Sequence, residues 1–157
     1  MADYAFRVHV SGIDATVRMF DRAIEGMDEA LDEGCQEAAE YLQECVENKF
    51  GEYQPGWKPL AYITRRKKVL KGNGANSNKP LVDYGDMMFS LETRTSNRTR
   101  KHTVAVVSTD EKIIHHVYGA PAANVPKRDP MRPTAKEERE ECIQMVIDKV
   151  KEVMGID

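Results

Sequence analysis

The sequence is short of the residues that usually impose hard constraints on a fold. It has three cysteines, Cys35, Cys45 and Cys142, odd in number, widely spaced and without a CxxC pair. That pattern argues against a disulfide framework or a cysteine zinc site and suits ordinary buried thiols in a reducing compartment. No apolar run reaches the roughly 18 residues needed to span a bilayer, so no membrane contact is expected. The opening MADYAFRVHV lacks a basic region followed by an apolar block and does not read as a secretory signal. Aromatics are only 7% of residues, few for a surface that stacks on nucleic-acid bases. No Ser, Cys or Thr sits in a nucleophile context such as GxSxG.

What is present describes a soluble globular chain. Its 157 residues have single-domain length, enough for one modest core. The net charge of −3 hides an asymmetry. Residues 1–50 hold 12 acids against 4 bases, residues 51–110 hold 5 against 11, and residues 111–157 hold 9 against 8. Blocks of opposite sign suit pairing within a chain and head-to-tail contact between copies.

Tyr4, Phe6, Val8 and Val10 alternate with polar or small residues, the period of a half-buried strand over 4–10. From 14 to 50, Val17, Phe20, Ile24, Met27, Leu31, Ala38, Leu42 and Cys45 recur at steps of three and four, with Gly34 and Cys35 filling the gap from 31 to 38. This predicts a long amphipathic helix covering a sheet; Gly34 weakens a coiled-coil reading by interrupting the seam. At roughly 1.5 Å per residue the helix is on the order of 50 Å long, more than the remaining chain can cover. Part of it is therefore expected to bend, fray or meet another subunit.

A motif-bearing loop and a short helix fill 51–80. Trp57, the only tryptophan, anchors the loop by packing, and Pro59 keeps it extended next to Leu60. Thr64 is placed to cap a basic helix over 65–70 carrying Arg65, Arg66, Lys67 and Lys68, with Lys71 beyond it. The run 72–80, GNGANSNKP, reads as a mobile loop. In the turn Leu81-Val82-Asp83-Tyr84-Gly85, Gly85 supplies the tight backbone position and Asp83 caps 84–88. From Phe89 on, alternation at Phe89, Leu91, Thr93 and Thr95, the segment 103–108 and the segment 113–118 predict three further strands, so the sheet is placed in 81–118. The expected fold is α+β: about four mainly antiparallel strands flanked by a long N-terminal helix and a C-terminal helix. The stretch 119–133 contains four prolines and reads as an extended loop. Thr134 and Glu137 form a capping-box pattern that starts the last helix, 134–154.

No constellation here looks catalytic, and neither an enzyme nor a cofactor is expected. His115 and His116, read as strand neighbours, point to opposite faces and make a poor ligand pair; one is expected to be half-buried and hydrogen-bonded and the other wet. Asp83 and Asp86 are explained more simply by turn capping than by a cation. Gly72-Asn73-Gly74 lacks the Gly-Lys-Ser/Thr close of a phosphate loop. The basic residues of 58–71 support an alternative, a nucleic-acid-binding module.

The order of the motifs resembles that of tail-completion and head–tail joining proteins of tailed bacteriophages. Those elements are Trp57-Lys58-Pro59-Leu60, Thr64 with Lys68, Leu81-Val82-Asp83-Tyr84-Gly85 leading to Ser90, His116 with Gly119, Val125-Pro126-Lys127-Arg128, and Arg132-Pro133 before the last helix. The likeness covers about residues 14–154. It implies a virion protein of the tail and neck, assembled in the host cytoplasm as a homo-oligomeric ring, most often a hexamer. Its implied partners are other copies of itself, the tail-tube protein and a head-completion or connector protein. Transient nonspecific contact with DNA passing through the lumen is also implied, with residues 65–71 as candidates. Such a function uses interfaces and no reaction.

Overall fold

The computed structural model describes residues 13–98 and 101–155. It is α+β. Helix α1 (Ile13–Glu47) is followed by α2 (Tyr62–Leu70), the short α3 (Asp86–Phe89), strands β1 (Leu91–Arg98) and β2 (Lys101–Ser108), α4 (Lys112–Tyr118), α5 (Met131–Glu137) and α6 (Arg139–Met154). None of the described helices is long and apolar enough to cross a membrane.

Helix α1 is the floor of the molecule. Small residues recur along one side, and α6 lies antiparallel on them. Cys142 Sγ sits 3.8 Å from Ala38 O, and a Cβ added at Gly34 would lie 3.0 Å from Val146 Cα. Gly34 therefore marks close helix packing. The hairpin packs on the neighbouring side, with His102 Nδ1 3.4 Å from Asp32 Oδ1. Val46 in the last turn of α1 and Phe50 just past its end join Leu81, Met87, Leu91, Ile113 and Val117 in the main apolar cluster, with Trp57 half-buried against it.

Among the described residues the sheet has two antiparallel strands, which corrects the expectation of about four. They pair from Leu91↔Ser108 to Arg98↔Lys101. The expected strand 4–10 lies outside the described residues. The expected strand 113–118 is helix α4 instead. Asp110 is the reason: its carboxylate accepts the Lys112 N–H at 2.9 Å and its carbonyl accepts from Ile113 N, which starts a helical turn. Ile113 and Val117, four apart, then bury one stripe in the core.

The C-terminal boundary also differs. Asp129 accepts from the backbone N–H of Met131 and Arg132, so a helix begins inside the expected loop 119–133. Thr134 is not a cap; it is buried within α5 and donates its hydroxyl to Pro130 O at 2.8 Å. The expected single helix 134–154 is broken at Glu138 into α5 and α6. Pro133 lies in the first turn of α5, where its missing N–H is not needed.

Candidate functional site

An open cavity of about 900 Å³ lies between α2, the turn 81–86, α4 and the loop 119–128. Motif residues far apart in sequence meet around it. Pro59, Leu60, Thr64 and Lys68 come from the first motif segments; Leu81 and Asp83 come from the turn. His116, Gly119 and Arg128 complete the set.

Two cations build the walls. Lys68 is buried and donates Nζ to the carbonyls of Asn76 (3.2 Å), Lys79 (2.7 Å) and Val82 (2.5 Å). Burial pushes its pKa down; Asp83 opposes this and Arg128 adds to it. Arg128, also buried, donates Nε and Nη2 to Lys58 O at 3.2 and 2.8 Å, and its own N–H to His116 O at 2.7 Å. Burial likewise lowers its pKa. Lys68 thus ties α2 to the segment 72–82, while Arg128 ties the late loop to the Trp57–Leu60 segment.

The segment 72–80, expected as a mobile loop, is stapled in place. Besides the Lys68 bonds, Asn73 and Asn76 both donate Nδ2 to Asp83 O, the latter at 3.1 Å, and Tyr84 OH donates to Lys71 O at 3.0 Å. Asp83 does not cap the following turn: its carboxylate faces Lys71 Nζ at 3.5 Å and Asn73 Nδ2 at 3.2 Å. Helix α3 is preceded by Gly85, whose φ of +96° is a left-handed position that favours glycine, without a side-chain cap. Leu81 takes φ +61° while buried in the core, at a cost of roughly 1–2 kcal/mol that packing must offset.

Thr64 lines the groove without capping α2, and the other motif residues serve elsewhere. Thr64 lies within the first turn of α2, which begins at Tyr62; Ala61 precedes it with no side-chain cap. Arg65, Arg66 and Lys67 are exposed and line no part of the groove. Ser90 Oγ donates to Met87 O and lies 2.7 Å from Ser108 Oγ, joining α3 to the hairpin. The Arg132 guanidinium sits 4.6 Å over the Tyr118 ring and bonds its hydroxyl.

The groove is electropositive: Lys58, Lys71, Lys112 and Lys127 line it with the two buried cations, against Asp83, Asp86 and Asp110. Sequence reasoning missed Asp110, whose position after Ser108-Thr109 was a readable helix-start signal. Among the described residues, no group of three His, Cys, Asp or Glu could hold a metal.

On α4, His115 is exposed and His116 half-buried. His116 Nδ1 is buried without a hydrogen-bond partner among the described residues, contrary to the expected bonded histidine. Burial, then Arg128, His115 and Lys68, push its pKa below the ordinary 6.5; Asp110 opposes. Between the lowered folded value and 6.5 the unfolded chain holds more protons, so stability falls as pH drops through that window. His116→Gln is expected to flatten this part of the profile of urea midpoint against pH. An unaltered slope would assign the effect to other groups.

No family model, curated protein or solved structure matches the chain.

Proposed function

We propose that this chain is a structural protein of tailed-phage virions that assembles in the host cytoplasm into a homo-oligomeric ring, six copies in the commonest arrangement of the group it resembles. The ring sits at the head-proximal end of the tail, ends the tail tube and joins it to a head-completion or connector protein. The observation that carries assembly is the set of large apolar side chains more than half exposed: Phe20, Ile24, Tyr62, Leu70, Phe89 and Tyr118. Phe20 with Ile24 on α1 and Tyr62 with Leu70 on α2 are exposed in groups at helical spacing rather than singly, which is the pattern of a protein–protein contact. The phage reading itself rests on the order of the motifs, and their meeting around one groove supports treating them as a unit. Lys68 and Arg128 spend their donors on backbone carbonyls, which suits rigid presentation of a surface and needs no reaction.

Light scattering with negative-stain imaging tests this. A ring is expected, formed by the chain alone or with tail-tube protein; a strict monomer at high concentration in both cases overturns the reading.

One observation favours a second reading, nucleic-acid binding through 58–71. Arg65, Arg66 and Lys67 are exposed and make no ion pair among the described residues. That reading requires binding with a steep salt dependence, and no binding at about 50 mM salt removes it. Within the ring, the same residues line the lumen only if charge reversal at all three impairs DNA passage or assembly.

A further inference from the structure

The two ends of α1 carry surfaces that match each other. At the far end, Gly26 faces Val153, which is 3.9 Å from the position of its Cβ, and α6 stops at Met154. The part of α1 before Gly26 therefore runs on past α6 as an arm about 20 Å long. Val17, Phe20 and Ile24, at helical spacing on the arm, are 50%, 59% and 54% exposed. They continue the stripe that becomes core further along, at Ala38 and Leu42. Asp21, Glu25 and Asp28, at steps of four and three, run along one edge of that stripe; Arg18 and Arg22, each three residues before an acid, lie one row further from it on the same flank.

At the near end, α2 turns Thr64 and Lys68 to the groove and, among the described residues, leaves its other side unpartnered. Tyr62, Ile63, Val69 and Leu70 are 70%, 59%, 53% and 76% exposed there, interleaved with exposed Arg65 and Arg66. Four large apolar side chains are surplus to phosphate contact, and Tyr with Arg around an apolar centre is the composition of a protein interface. The arm cannot reach the α2 of its own chain. The segment after α1 is tied to the groove side by the Gly51 N–H to Pro80 O bond, and most of the length of α1 lies between.

We infer that the free arm of α1 in one subunit docks on the outer face of α2 in the next. Val17, Phe20 and Ile24 lie against Tyr62, Ile63, Val69 and Leu70, and Asp21 and Glu25 face Arg65 and Arg66. Each copy supplies one half at either end, so the contact is head-to-tail and closes into a ring when the rotation allows. This inference rests on the ring reading above and names the interface that builds it.

Charge exchange tests it. Asp21→Lys with Glu25→Lys reverses the arm, and Arg65→Glu with Arg66→Glu reverses the α2 face; all four sites are exposed, so folding, checked by circular dichroism, is expected to be unchanged. Each variant alone is expected to need at least tenfold more protein for half-assembly. Mixed in equal amounts, they are expected to regain the wild-type size, because every arm then meets an α2 face of opposite sign. A mixture no better than its components overturns the inference, as does either variant assembling like wild type. Loss of DNA retention with assembly intact in the α2 variant also overturns it and gives the face to nucleic acid. A wild-type ring with indifferent variants sinks only the interface, whereas a monomeric wild type sinks the ring as well.

Discussion

Lys68→Met is expected to lower the unfolding free energy by about 3 kcal/mol, because a buried ammonium that satisfies three carbonyls is replaced by a group that donates nothing. The methionine fills the space of the lysine stem, so the loss comes from the carbonyls of Asn76, Lys79 and Val82 rather than from a cavity. Removing the charge also removes its desolvation cost, which keeps the figure below the sum of three charged hydrogen bonds. For a chain of this length the melting temperature is expected to drop by roughly 6–12 °C. Faster amide exchange over 72–83 is the specific signature. A wild-type melting temperature with unchanged exchange would show that the three bonds contribute little.

Gly34→Leu is expected to cost about 3 kcal/mol by a different route. Its first added atom already lies 3.0 Å from Val146 Cα and 3.2 Å from Lys149 Cβ, so a full side chain must push α6 off α1. Gly34→Ala sets roughly 1 kcal/mol of helix propensity against a shift of a few tenths of an ångström and is expected to be near neutral. The urea midpoint of both variants, with amide exchange over 142–154, reads the difference. Gly34→Leu with a wild-type midpoint would mean that the two helices part without cost.

The same glycine shows how local pattern and tertiary role diverge. As a break in an apolar seam it argues against a coiled coil; beside Val146 it is a point of close helix approach, where a Cβ would lie 3.0 Å from the backbone of α6. Segment 113–118 diverges likewise. Its β-branched and aromatic residues suit a strand by propensity and a helix through Ile113 and Val117, four apart, and the choice falls to Asp110 and the buried place for those two side chains.

The sequence by itself determined the long amphipathic α1, because its period persists over many turns, and two neighbouring strands, through the alternation at 89–95 and the run 103–108; the turn it placed at 96–98 is instead paired as the end of β1. It also located most residues of the groove, as motifs in a recognisable order. Only the tertiary structure decided that Pro59, Lys68, Asp83, His116 and Arg128 share one cavity, and that its two buried cations are structural ties. The acceptors of Lys68 and Arg128 are backbone carbonyls, which every residue carries and no side-chain pattern advertises; only the folded path of the chain says which ones arrive within hydrogen-bonding distance.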